Sequence, residues 1–297
     1  MKKYCLHCGR GMLSANPDKF CSMKCAELVK RLNEFMRVKL EEGVIKAQMA
    51  VKRRALHEES SKAYAENWFK KKKFPCYLII PDQHLPYENR YSLRFYSELQ
   101  REYKIPNENV LCLGDFRDEY FANMHEVGPD MEHTPNEEID ETLERSKQWY
   151  KVFPKMKMIL GNHETRVFRK ANSIGLPSQL FKKYEELYET PPGWEVRKDF
   201  MIFGEHSPFM CVHGEKLRDA ADGALHMGVN LAMGHLHSKA GTSWIKTANQ
   251  ELWGLDAGCG IQPEAYAYKY GQDSKKKPIL GGGVVHNGGE YASFVPL

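Results

Sequence analysis

Nowhere in the 297 residues does an uninterrupted apolar run approach the ~18 residues that a membrane-spanning helix requires. The opening Met1-Lys2-Lys3-Tyr4-Cys5 lacks the apolar stretch of a secretory signal. Internal repeats are missing. Gly281-Gly282-Gly283 has no following Lys-Ser/Thr, which excludes a P-loop and reads as a turn. The eight cysteines do not form the pattern of a secreted disulfide scaffold, and Cys76, Cys112, Cys211 and Cys259 lie in or beside apolar runs, where reduced cysteine packs as a small core residue. Together these absences predict an intracellular, cytoplasmic protein with no membrane partner.

Proline is missing from about Ala26 to Lys73, and helix formers dominate there. Leu28, Leu32, Phe35, Met36 and Leu40, then Val44, Ile45 and Met49, recur at helical spacing, opposite a face rich in Lys and Arg. One long or two shorter amphipathic helices are expected, with Gly43 a possible break, packed on the main domain or pairing into a homo-oligomer. Before them stand Cys5-x2-Cys8 and, twelve residues on, Cys21-x3-Cys25. Two close cysteine pairs can supply four thiolates to one tetrahedral structural zinc. The stretch Phe20-Cys21-Ser22-Met23-Lys24-Cys25 resembles FCS-type, treble-clef-like zinc fingers, which implies nucleic-acid or protein binding.

The net charge of +4 hides an asymmetry: residues 1–75 hold 18 Lys/Arg against 8 Asp/Glu, and the remainder 25 against 31. A first quarter at +10 suggests an anionic partner, nucleic acid first; a solvated Lys-rich helix ending in Lys70–Lys73 is the bland alternative. The expected organisation is a zinc finger over 1–25, a basic helical linker over 26–75 and a large domain over 76–297.

Beyond Pro75 short apolar runs alternate with helical stretches. Strands are expected at Cys76–Ile80, Asn109–Leu113 and Met156–Leu160, with helices at about Asn89–Glu102, Glu137–Phe153 and Lys182–Glu189. A polar loop over Phe116–Asn136 follows the second strand. Phe200–Phe203 and Phe209–Val212 read as a hairpin, and further strands as Asn230–Met233, Thr242–Thr247, Glu251–Asp256, Gly283–His286 and Tyr291–Val295. Strands alternating with helices indicate a layered α/β domain.

Polar residues follow these runs: Asp82 and His84, Asp115, Asn162 and His163, His213, His235 and His237. If the strand ends share one edge, two carboxylates, an amide and five imidazoles converge. Such hard oxygens and borderline nitrogens suit Mn, Fe or Zn. Asp82 and His84, like His235 and His237, are two apart and face one side of an extended segment. A lone histidine at a strand end is more often a satisfied polar residue, so the ordered combination carries the argument.

That combination, D-x-H, G-D-x-x-D, G-N-H-E, V-H-G and G-H-x-H, resembles the calcineurin-like metallophosphoesterases over roughly residues 76–297. The resemblance implies a four-layer α/β/β/α sandwich and two divalent metals. Asp82, His84 and His237 would hold one metal, Asn162, His213 and His235 the other, and Asp115 would bridge them. His163 matches the catalytic histidine, placed to protonate the leaving alkoxide. Two such metals clamp a phosphate and activate a water. Glu164 or Asp118 would orient an imidazole, and Arg166 would contact substrate phosphate or simply start a helix. His125, His133, His206, His226 and His286 match no motif and read as structural, His125 being the first exception to consider. The basic N-terminal part tilts the expected activity to a nucleic-acid phosphodiesterase; the alternative is a phosphomonoesterase acting on phosphoprotein or nucleotides, toward which Glu164 in place of Asp leans.

Overall fold

A computed structural model describes residues 3–4, 11–12, 23–70, 74–123, 133–265 and 275–297. The chain divides into two compact units, residues 1–72 and 73–297. In the first, β1 (Lys3–Tyr4) pairs antiparallel with β2 (Gly11–Met12), and α1 (Met23–Lys70) is one continuous helix of 48 residues. Gly43 lies inside α1 without breaking it. Exposed pairs one turn apart, such as Arg31 with Glu27 and Arg37 with Glu41, support the helix locally. Leu28, Val44, Met49 and Val51 are exposed on it. Cys5, Cys8 and Cys21 lie outside the described residues, and of Cys25 only its place in α1 is described, so the zinc expectation falls there too. No helix among the described residues is long and apolar enough to cross a membrane.

The second unit runs β3 (Tyr77–Ile80), α2 (Ser92–Glu102), β4 (Val110–Cys112), α3 (Pro135–Val152), β5 (Met156–Ile159), α4 (Arg166–Ser173), α5 (Tyr184–Leu187) and β6 (Trp194–Arg197). There follow β7 (Phe200–Phe203), β8 (Phe209–Val212), α6 (Ala220–Met227), β9 (Asn230–Met233), β10 (Ala240–Lys246), β11 (Glu251–Ala257), β12 (Gly281–His286) and β13 (Tyr291–Pro296). Two sheets form, ordered β13-β12-β3-β4-β5-β6 and β10-β11-β9-β8-β7. Strands β3 to β6 are parallel, as are β8, β9 and β11. Register aligns their ends: Ile80 stands beside Cys112 and Cys112 beside Met158. In the other sheet Val212 stands beside Met233 and Met233 beside Asp256. The loops leaving these strands therefore emerge side by side.

The period of two in β3 sorts its apolar residues between two cores. Leu78 and Ile80 pack with Tyr96 of α2 and Trp149 of α3, whereas Tyr77 and Ile79 pack with Phe209, Trp253 and Leu255 of the second sheet. A strand buried on both faces reads as a continuous apolar run, and each fully buried Leu or Ile contributes roughly 1.5–3 kcal/mol. Ala220 and Ala224 of α6 pack on Leu231, Met233 and Leu252. Pro135 opens α3 behind a Thr134–Glu137 capping box.

Two expectations need correction. The 182–189 helix shrinks to the four residues of α5. Gly281-Gly282-Gly283 is no turn but the start of β12, because a side chain at Gly282 would strike the Tyr96 ring and one at Gly283 would strike Leu255 and Ile79. Glycine there lets a helix and a second sheet press against the strand.

Candidate metal centre

The eight residues singled out at the strand ends meet in one buried cluster. Asp82 and His84 follow β3, Asp115 follows β4, Asn162 and His163 follow β5, His213 follows β8, and His235 and His237 follow β9. Asp82, His84, Asp115, His163 and His213 are buried, and Asn162, His235 and His237 partly so. Three triads place one donor atom per residue within 4.8 Å of the others: Asp82–His84–His237, His84–Asp115–His163 and Asp115–His213–His235.

Hydrogen-bond partners fix which imidazole nitrogens carry protons. Nδ1 of His84 lies 2.8 Å from Asp118 Oδ2, and Nδ1 of His213 lies 3.0 Å from the Leu113 carbonyl. Both partners accept only, so each Nδ1 donates and each neutral ring turns a bare Nε2 the other way. His84 Nε2 then points at His237 Nε2, 3.1 Å off, which is itself 3.1 Å from Asp82 Oδ2. His213 Nε2 lies 2.9 Å from Asn162 Oδ1, 3.2 Å from His235 Nδ1 and 3.2 Å from Asp115 Oδ2. Lone pairs gathered at two points repel unless a cation stands between them. This donor set fits two divalent ions: Asp82, His84 and His237 could hold one, Asn162, His213 and His235 the other, and Asp115 lies between.

The electrostatics carry the same demand for positive charge. Burial, then the neighbouring His163, pulls His84 down to about 4, leaving it neutral. Burial opposes a charge on His213 too, yet the Asp115 carboxylate beside it pushes that imidazole up to about 10. Burial would raise Asp82 and Asp115, but the surrounding imidazoles hold both below the usual carboxylate range.

Backbone strain and missing side chains shape the pocket. His84, Asp115 and His235 have φ of 57°, 45° and 65°, left-handed values that cost a non-glycine residue about 1–3 kcal/mol each. The two oxygens of Asp82 accept the His235 N–H at 3.1 and 2.9 Å, and Asp115 Oδ1 accepts that of His163 at 2.9 Å. A Cβ at Gly234 would land on the Asp82 carboxylate, and one at Gly161 on that of Asp115. The glycines of G-H-x-H and G-N-H-E are thus required by carboxylates far away in sequence.

Asp118 orients imidazoles, as expected: its carboxylate binds His84, and its carbonyl lies 2.9 Å from His163 Nδ1. Glu164 does not. It accepts the backbone N–H groups of Asp115 and Arg117 at 2.9 Å and of Gly161 at 2.8 Å, clamping the loops after β4 and β5 together. Arg166 begins α4, and its side chain also reaches the site, with Nη2 2.7 Å from His163 Nε2 and Nη1 3.2 Å from Asp118 Oδ1. Sequence reasoning passed over Arg117, fully buried against Tyr184, with Tyr150 Oη at 2.6 Å and Ser146 Oγ at 3.1 Å. No local pattern marks it. His133, His206 and His286 stand elsewhere, against Glu141, Phe74 and Ser293; His125 lies outside the described residues.

Two facing sheets and a site of Asp, Asn and His at their aligned strand ends define a metal-dependent phosphoester hydrolase. Residues 77–253 match the model of the calcineurin-like phosphoesterases, and the chain belongs to that family. No curated protein matches the chain.

Proposed function

We propose that the protein is a nucleic-acid phosphodiesterase, a nuclease working with two divalent ions of the Mn, Fe or Zn kind. The observation that supports this substrate is the charge of the first 75 residues, 18 Lys/Arg against 8 Asp/Glu, attached to a phosphoester hydrolase. A polymer of phosphates is the substrate that such a segment recruits by backbone charge. In this reading α2 and α3 outside one sheet and α6 outside the other complete an α/β/β/α sandwich, and the four N-terminal cysteines hold a structural zinc.

When bound, the two ions supply electrostatic stabilisation for the phosphate and an activated water. The chain's own residues do the rest. His163, held by the Asp118 carbonyl at Nδ1, keeps Nε2 turned to the site, where a proton it carries can pass to the leaving alkoxide. Arg166 offers a planar fork to phosphate oxygens when it leaves His163. Asp118 fixes the orientation of both His84 and His163. The exposed Val44 and Val51 of α1, seven residues apart, offer a stripe for self-association, which sedimentation would reveal.

The test compares Mn-loaded full-length protein on a chromogenic diester and the matching monoester, then on labelled DNA and RNA across a salt series. Diester preference is expected, with affinity falling steeply with salt, and with a shallower slope when Lys52, Arg53 and Arg54 are replaced by Gln. Monoester preference would instead point to phosphoproteins or nucleotides, and an unchanged slope would remove the recruiting role from α1.

A further inference from the structure

Glu119 is a buried acid that the centre does not use. Its side chain is 3% exposed, Oε1 accepts the Tyr188 hydroxyl at 3.1 Å, and Oε2 is buried with no partner among the described residues. The residue sits at φ 52° and ψ 43°, and Glu138 holds the turn that follows it by accepting the N–H groups of Tyr120 at 2.6 Å and Phe121 at 2.9 Å. Glu119 lines a cavity of about 250 Å3 whose other walls include Phe121, Ile139, Val167, Phe168 and Tyr184. A carboxyl oxygen left bare in apolar surroundings is costly, and an occupant that draws the carboxyl group round to the cavity and offers it a hydrogen bond recovers that cost.

Two pairs of neighbouring residues link the cavity to the candidate metal centre. Asp118 touches His84 and His163, and the next residue, Glu119, lines the cavity. Arg166 touches His163, and the next residue, Val167, lines the cavity. A group that fills it needs apolar faces against these walls and a polar edge for the Glu119 carboxyl group. A nucleobase has both. Its edge sets an N–H beside a ring nitrogen or carbonyl, so it can pair with a carboxyl group in either protonation state, whereas a phenylalanine side chain offers Oε2 nothing.

We propose that this cavity receives one unpaired nucleobase of the substrate, packed against Phe121, Phe168 and Tyr184 and hydrogen-bonded at its edge to the Glu119 carboxyl group once that group turns to meet it. The proposal rests on the phosphodiesterase reading. It adds that the enzyme prefers single strands, ends or unpaired nucleotides, because a base in the duplex stack cannot enter.

Kinetics on Mn-loaded full-length protein test it, with thymidine 5′-(p-nitrophenyl phosphate) set against base-free methyl p-nitrophenyl phosphate. The nucleoside diester is expected to exceed the base-free one about tenfold in kcat/KM. Ile139→Trp, which fills the cavity, should bring that ratio close to one, and Glu119→Gln should change the order of preference among the four bases; thermal melts confirm that each variant is folded. A wild-type ratio within twofold, or a ratio that survives Ile139→Trp in a folded variant, overturns the proposal while leaving the diesterase reading intact. Hydrolysis of p-nitrophenyl phosphate alone overturns both. A phosphopeptide whose turnover depends on Ile139 in the same way would give the cavity to protein instead.

Discussion

Arg166 Nη2 stands 2.7 Å from His163 Nε2, so the guanidinium donates to the very nitrogen that a leaving group would have to reach in the proposed mechanism. The imidazole is caught between this donor and the Asp118 carbonyl at Nδ1. Burial and Arg166 both disfavour a charged ring, yet the Asp115 and Asp118 carboxylates outweigh them and hold His163 above the ordinary imidazole range. Substrate phosphate, by drawing Arg166 away, would free the ring to carry its proton.

If His163 is the acid, its loss matters in proportion to how badly the leaving group needs a proton. His163→Gln is expected to lower kcat on a methyl or sugar alkoxide ester by ~10²–10⁴-fold, and far less on a p-nitrophenyl ester. Equal losses on both would assign the residue another role.

Asp118 acts through the residues it orients. Asp118→Asn should weaken Mn binding by about 10–100-fold, because the amide no longer fixes His84 with Nδ1 donating. Equilibrium dialysis measures this, and saturating Mn should restore much of the activity. Unaltered affinity would make Asp118 a spectator.

Glu164 is the clamp between two loops. Glu164→Ala leaves three backbone N–H groups without their acceptor, and each unsatisfied buried group costs ~1–3 kcal/mol. Urea unfolding should show a loss of about 3 kcal/mol or more, with Glu164→Gln intermediate. A loss under 1 kcal/mol would mean that water replaces the carboxylate without penalty.

A pH effect should arise at Glu88, four residues past His84 but paired with Arg145. Burial, opposed by Arg145, pushes its carboxyl up to about 7 from an ordinary 4.5. The folded state binds this proton more tightly than the unfolded chain, so stability is full below about 4.5 and declines as pH rises through 7. Glu88→Gln has no such proton to lose. It should match wild type near pH 4.5 and exceed it by about 1–3 kcal/mol at pH 8, as paired melts at both pH values will show. Parallel curves would contradict the assignment.

Much of this was legible in the sequence because apolar strands and the polar residues ending them are local signals. The run Tyr77–Ile80 announces a buried strand, and Asp82 and His84 announce what it delivers. Residues whose role depends on distant partners were not legible. Nothing around Glu164 says that it binds the N–H groups of residues 115 and 117, and nothing around Arg117 says that Tyr150 and Tyr184, on or beside later helices, will enclose it. Gly281–Gly283 misled for the same reason: glycine usually marks a turn, but here Tyr96 and Leu255, far off in sequence, required its smallness.

The fit of Gly161 against Asp115, and of Gly234 against Asp82, makes each pair a single heritable unit. A descendant that abandons its metals can lose Asp82 first, after which Gly234 is free to drift, whereas Gly161 stays closed by the Asp115 backbone nitrogen 2.5 Å from where its Cβ would lie. The reverse order is closed, since a methyl group at either glycine evicts a carboxylate still in place. Decay of this site has a direction, and a surviving aspartate beside a lost glycine should not be found.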